Sequence, residues 1–212
     1  RLLSRGLGDV YKRQVDTSDE WIKSRTGISQ RRISGIEEDV SQMGYKAALA
    51  AIKMTKWDIN TIDLIVLATS TPNDLFGSAP SIQEKLGAKN AVAFDLTAAC
   101  SGFLFAVITA SQFLKTGSYK RAIVIGSDQL SSYIDWNDRR SCILFGDGAG
   151  AIAIEATHEC DNLIGFDMRT DGQRGCFLNL PSQINQDVII DNINYSNSSF
   201  SSITMNGQEV YK

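Results

Sequence analysis

Cys100 is the residue whose type and surroundings point most directly to chemistry. It lies in Ala98-Ala99-Cys100-Ser101-Gly102-Phe103, after one apolar segment and at the opening of a longer one. A thiolate at a helix N-terminus meets unpaired N–H groups and the positive end of the helix dipole, and both stabilise an anion. Gly102 lets a ligand or another backbone approach closely. The competing reading makes Cys100 one more small buried hydrophobe, and residue types alone leave both open. A thiolate nucleophile normally needs a base, yet the sole histidine, His158, falls among loop residues in Ala156-Thr157-His158-Glu159-Cys160-Asp161. That placement disfavours a papain-like hydrolase. His158-Glu159-Cys160 has no second ligand cluster to complete a metal site, and no CxxC pair exists to build a zinc ribbon or a thioredoxin-type centre.

A second group sets indoles beside guanidinium side chains: Trp21 with Arg25, and Trp136 with Arg139 and Arg140 in Asp135-Trp-Asn-Asp-Arg-Arg140. Aromatic and guanidinium planes can sandwich a nucleobase, and arginine binds phosphate. Exposed loop charge beside half-buried tryptophans is the plainer alternative. Gly146-Asp147-Gly148-Ala149-Gly150 looks like a nucleotide loop, but the dinucleotide fingerprint opens a helix, whereas here a strand pattern follows. The spacing predicts a tight hairpin turn close to a ligand.

These residues need elements to position them. Asp16-Thr-Ser-Asp19 offers capping residues for a short helix around Glu20–Lys23 that Gly27 stops, and apolar spacing from Val40 to Ile52 gives an amphipathic helix. Leu64-Ile-Val-Leu-Ala68 reads as a buried strand, Ala79–Leu86 as a helix, Ala91–Leu96 as a strand, Ser101–Thr116 as a long helix and Ala122–Gly126 as another strand. That is βαβαβ order, so an α/β class follows. Cys142–Phe145 and Ala149–Ile154 read as a hairpin, which makes the sheet mixed. Residues 182–202, crowded with Asn and Ser, read as an exposed excursion.

Composition sets the outer limits. The 212 residues are 43% hydrophobic and 21% charged, with a net charge of −3 that gives no pull toward nucleic acid or an anionic membrane. Leu96–Leu114 carries no charge, but Thr97, Ser101, Gly102, Thr109, Ser111 and Gln112 interrupt it, so it reads as a core helix rather than a membrane span. Scattered cysteines and the lack of an apolar h-region after Arg1 and Arg5 point to the cytoplasm. The chain opens without Met and ends on Lys212 within what reads as a starting helix, the pattern of a fragment.

From Val15 to Lys212 the sequence resembles β-ketoacyl-acyl-carrier-protein synthase III, a thiolase-fold condensing enzyme. The carrying segments are Asp16-Thr-Ser-Asp-Glu-Trp-Ile22, Arg25-Thr-Gly-Ile28, Ala98-Ala-Cys-Ser-Gly-Phe103, Asp138-Arg139, Phe145-Gly-Asp-Gly-Ala-Gly150 and Met205-Asn-Gly-Gln-Glu-Val-Tyr-Lys212. Residues 1–14 do not match and read as a foreign lead. The resemblance implies an incomplete thiolase-like layered fold, with residues 15–212 as its N-terminal half and the family's catalytic His and Asn in a half beyond this chain. It implies that Cys100 accepts the acyl group, that Trp21 and Arg139 stack on the adenine of coenzyme A, that Thr17 contacts that base, and that Arg25 meets its phosphates. Arg140 stands beside Arg139 and leaves open which of the two stacks. Phe76 and Phe145 go to the acyl pocket, Phe76 by reaching into a partner subunit's, so a homodimer follows. Acyl-CoA would acylate Cys100 as a substrate rather than a cofactor, and decarboxylative condensation with malonyl-acyl carrier protein would complete the reaction. No cofactor or metal is implied. A related ketosynthase of secondary metabolism, and a non-catalytic piece that binds acyl-CoA or dimerises, are the alternatives.

Overall fold

The computed structural model describes residues 15–157, 163–190 and 193–211. The lead at 1–14 and the loop residues His158 and Cys160 lie outside the described residues. The chain divides into two compact units, one of residues 33–129 and 147–168, the other formed by the described residues of 1–32, 130–146 and 169–212.

The first unit is a four-stranded sheet with helices on both faces. Its central strand β1 (Leu64–Ala68) is buried at every position, and alternate side chains serve opposite faces. Ile65 and Leu67 pack with Val40, Ala48 and Ile52 of α2 (Val40–Thr55) and with Ile82 and Leu86 of α3 (Ala79–Leu86). Leu64, Val66 and Ala68 pack with Ala106, Ala110 and Leu114 of α4 (Gly102–Lys115). A strand covered on both faces must be apolar throughout, which is why it shows no alternation in the sequence. Strands β2 (Val92–Leu96) and β3 (Arg121–Gln129) flank β1 in parallel, and β4 (Asp147–Glu155) runs antiparallel along β3, giving the order β2-β1-β3-β4. The βαβαβ reading and the mixed sheet are therefore observed.

The expected hairpin is not. Arg139–Cys142 forms a helical turn, α5, and β4 begins at Asp147, with Gln129 opposite Asp147 and Arg121 opposite Glu155. Asp138 caps α5 by accepting from Arg140 N at 2.9 Å, and the apolar run that follows fills the core of the second unit, where Cys142 and Ile143 are buried. Short apolar runs carry no periodicity that separates a strand from a helical turn. The glycine-rich stretch is likewise no turn: Asp147–Gly150 lies in β4. Gly146 is a glycine for another reason, since a Cβ there would sit 2.9 Å from the Arg32 carbonyl oxygen.

The second unit is built on Ile22, Ile134, Cys142, Ile143 and Ile203, with Trp21, Trp136, Phe145 and Leu178 packed against them. Helix α1 (Asp19–Thr26) starts where the capping residues predict: Ser18 Oγ accepts from Trp21 N at 3.1 Å, and Gly27 at φ 72° ends it. Strand β5 (Leu178–Asn179) pairs with β8 (Thr204–Met205), and the chain reaches a last helical turn, α6 (Gly207–Val210). Between β5 and β8 the expected loop is instead an antiparallel ribbon, β6 (Ser182–Ile190) against β7 (Ile193–Phe200). Val188, Ile189, Ile190, Ile193 and Tyr195 supply the β-branched and aromatic types that favour strands, which the Asn and Ser content obscured. Among the described residues no helix is long and apolar enough to cross a membrane.

Candidate active site

Cys100 sits in a single 3-10 turn, Ala99–Ser101, between β2 and α4, and its side chain is exposed. Ala99, directly before it, has φ +47°, a left-handed conformation that costs a non-glycine residue energy and that clusters at functional turns. Gly102 opens α4 against the end of β1, where a Cβ would lie 3.4 Å from that of Ala68. No side chain caps α4, and its first N–H, of Gly102, donates to the Ala99 carbonyl within the 3-10 turn. The other described cysteines differ: Cys142 is fully buried, and burial pushes its thiol up, while Cys176 lies exposed on the 3-10 segment Gly172–Phe177, with no strand leading into a helix.

The carboxyl end of the sheet that leads into the Cys100 turn carries carboxylates that sequence reasoning did not single out. Asp128 Oδ1, at the end of β3, accepts from Ser70 N at 2.7 Å and from the hydroxyls of Thr69 and Thr71, both at 3.3 Å. Burial pushes its carboxyl up, against the pull of those bonds. Asp147 Oδ2 accepts from Ser34 N at 2.8 Å and Ser34 Oγ at 2.9 Å. Asp95 holds the loop before α3. The carboxyl ends of strands are where open α/β sheets bind ligands, and these carboxylates fix the loops there. A charge inside an otherwise apolar strand, as at Asp95, was the available signal.

The second unit holds the aromatic and guanidinium group. Trp21 is half-buried on α1, and two guanidinium carbons lie over its ring, Arg25 at 4.8 Å and Arg139 at 4.8 Å from the centroid. Arg139 Nη1 also donates to the Asp16 carbonyl at 2.7 Å. Arg140 forks onto Asp138 at 3.0 and 3.1 Å instead. Of the two adjacent arginines it is therefore Arg139 that meets Trp21. Trp136 packs against the unit's core. Thr17 Oγ1, one residue from the Asp16 carbonyl that Arg139 meets, is buried and makes no hydrogen bond. Arg25 lies over the indole and its side chain is exposed. Phe76 is fully exposed on the loop before α3 in the first unit, whereas Phe145 is half-buried against the core of the second. Among the described residues no group of three or more His, Cys, Asp or Glu side chains could hold a metal ion.

An exposed thiol on a tight strand-to-helix turn, at the carboxyl end of a sheet sandwiched by helices, is the arrangement of the thiolase-like condensing enzymes. A family model for 3-oxoacyl-[acyl-carrier-protein (ACP)] synthase III matches residues 94–172, which contain that turn. Over 200 residues the chain is 84% identical to a β-ketoacyl-[acyl-carrier-protein] synthase III of Prochlorococcus marinus (strain MIT 9515), covering 94% of this chain and 60% of that protein. Among solved structures it superposes on the synthase III of Thermus thermophilus with a TM-score of 0.80 at 32% identity, covering 95% of this chain and 61% of that one. The synthase III of Aquifex aeolicus VF5 gives 0.72 at 35% identity, covering 96% and 61%. The chain thus spans about 60% of the length of the curated relatives it matches. Over that length it is similar to 3-oxoacyl-[acyl-carrier-protein] synthase III proteins.

Proposed function

We propose that the complete enzyme is a cytoplasmic, homodimeric acyltransferase that starts fatty-acid synthesis. The Cys100 thiolate attacks the thioester carbonyl of an acyl-CoA, forming the acyl-cysteine and expelling coenzyme A as its thiolate, which takes a proton from solvent. Malonyl-acyl carrier protein then loses carbon dioxide, and the resulting carbanion attacks the acyl-cysteine carbonyl. The products are a β-ketoacyl-carrier protein and the free Cys100 thiolate. The donors that stabilise the developing enolate belong, in this reading, to the family's His and Asn outside these 212 residues. Trp21, Arg139 and Thr17 form the adenine seat, Arg25 meets the phosphates once it leaves the indole, and Phe76 and Phe145 line acyl pockets, Phe76 in the partner subunit. No cofactor or metal takes part.

The observation that carries the reading is the exposed Cys100 on its left-handed turn ahead of an uncapped helix. The test is incubation of the full-length enzyme with an acyl-CoA followed by peptide mass spectrometry. An acyl adduct on Cys100 is expected, and an adduct on Cys142 or Cys176 with Cys100 unmodified refutes the assignment. Supplying malonyl-acyl carrier protein or malonyl-CoA to the acylated enzyme separates the synthase from a ketosynthase with another acceptor, and no turnover with either would mark an acyl-CoA-binding protein.

A further inference from the structure

We infer that Asp95 is a positioning residue that holds the Leu75-Phe76 tip in place to enter the acyl pocket of a second copy of the chain, and thereby helps select the acyl chain. Leu75 and Phe76 are the two large apolar side chains of the loop between β1 and α3, at 84% and 99% exposure. Large apolar groups held out in water signal a partner when the backbone beneath them is fixed rather than loose. Here it is fixed at both ends. Asn73 Oδ1 accepts from Ser41 N at 2.9 Å and Ser41 Oγ at 3.0 Å, tying the loop's start to the first turn of α2. Within the loop, Asp74 Oδ1 accepts from Phe76 N at 2.8 Å and Gly77 N donates to the Asp74 carbonyl at 3.0 Å.

The far end depends on Asp95. Ser78 is the N-cap of α3 but makes no capping bond, because its hydroxyl accepts from Asn73 N at 2.9 Å instead. The N–H groups at the helix start go to the strand carboxylate: Asp95 Oδ2 accepts from Ser78 N at 2.8 Å and Oδ1 from Ala79 N at 2.6 Å. Gly77, between the tip and this clamp, has φ +115°, a conformation only glycine takes without strain, and a Cβ there would lie 3.6 Å from Asp95 Oδ1. The carboxylate thus does from β2 what an N-cap side chain normally does, and in doing so orients the two residues ahead of the helix. Strand β2, which carries Asp95, is an edge of its sheet among the described residues.

The inference rests on the reading of the enzyme as an acyl-CoA-using homodimer, and the experiment separates the two. In the full-length enzyme, kcat/KM for acetyl-CoA and octanoyl-CoA is compared for Phe76→Ala, Asp95→Ala, Gly77→Ala and the Phe76→Ala/Asp95→Ala double variant, with inhibition by free coenzyme A as the control. Phe76→Ala should change the acetyl-to-octanoyl preference about tenfold, the scale at which a hydrophobic pocket discriminates chain length. Asp95→Ala and Gly77→Ala should change it in the same direction, the double variant should match Phe76→Ala alone, and free coenzyme A should inhibit all of them equally. A merely structural role for Asp95 would lower every rate and leave the preference unchanged. If Asp95→Ala does not fold, Gly77→Ala, which misdirects the tip while keeping the carboxylate, decides. Native preference in folded Asp95→Ala or Gly77→Ala, with Phe76→Ala shifted, overturns the positioning role and spares the dimer reading. Native preference in Phe76→Ala overturns both.

Discussion

In the proposed adenine seat the Trp21–Arg139 stack is closed, and that sets the order of effects expected for coenzyme A use. Stacking planes need about 3.5 Å of separation each, so a base held between an indole and a guanidinium requires about 7 Å. The Arg139 guanidinium carbon stands 4.8 Å from the Trp21 centroid. Adenine can therefore enter that face only if Arg139 withdraws by about 2 Å, and its bond to the Asp16 carbonyl must stretch or break as it does. The stack it gives up is worth about 0.5–1 kcal/mol at an exposed site, and the guanidinium regains a comparable amount on the outer face of the base. Arg139→Ala thus removes a plug and a wall together, and the two largely offset. Trp21→Ala removes only the floor, and base–aromatic stacking is worth about 1–3 kcal/mol. We expect Trp21→Ala to raise the half-saturating acyl-CoA concentration by about 5- to 150-fold, and Arg139→Ala by no more than about tenfold. The assay is the rate of Cys100 acylation against acyl-CoA concentration in the full-length enzyme. Equal or larger loss in Arg139→Ala would show that the arginine does not occupy the adenine's place in the free protein.

Three further outcomes follow from single side chains. Cys100→Ala should abolish the acyl-enzyme, read by mass spectrometry, while Cys142→Ala, which opens a small cavity in the core, should lower the melting temperature and retain the adduct. Asp138→Ala should lose the α5 cap, about 1 kcal/mol, and raise the half-saturating acyl-CoA concentration because Arg139 begins that helix, whereas Asp138→Asn, which keeps an acceptor, should stay near native; equal behaviour of the two variants would refute the capping role. Asp128 titrates above its ordinary value of 3.8 in the folded chain because burial disfavours its charge, so the stability it contributes is fully present below 3.8 and is lost as pH rises through the folded value. Asp128→Asn should therefore equal or exceed the native melting temperature at neutral pH and lose that advantage toward pH 4, and an advantage that grows toward acid would reverse the sign.

What the sequence made legible is what depends on neighbours in the chain. Ser18 and Gly27 bound α1 because caps act within a turn, and the run from Leu64 to Ala68 announces a strand buried on both faces. The Cys100 turn was visible for the same reason: an apolar strand, a small-residue turn and a long apolar helix are consecutive. The pairing of Arg139 with Trp21 was open because it depends on which of two adjacent arginines the α5 turn directs toward α1; the structure decides it by giving Arg140 to Asp138. The false hairpin at Cys142–Phe145 came from the same locality, since the antiparallel partner of β4 is β3 rather than the residues just before it. The carboxylates were missed because their partners are far off in the chain: Asp128 meets Ser70 across 58 residues and Asp147 meets Ser34 across 113, so only the folded unit brings them together.

The helix starts differ in a way that bears on the chemistry. Helix α1 is capped by Ser18, α2 by Asp39 accepting from Gln42 N at 2.7 Å, and α3 by Asp95 from a neighbouring strand. Each such cap is worth about 1 kcal/mol, so leaving one out costs stability. Helix α4 alone among these four lacks a side-chain cap, and it is also the helix preceded by a non-glycine residue in the left-handed region, at Ala99. Both departures fall on the turn that carries Cys100. A capping carboxylate there would set a negative charge at the helix start where the proposed thiolate forms, and like charges at that distance repel. The missing cap and the strained turn are thus one arrangement. Stability is forgone at the helix start that, in the proposed reaction, must receive a negative charge, and it is kept at the other three.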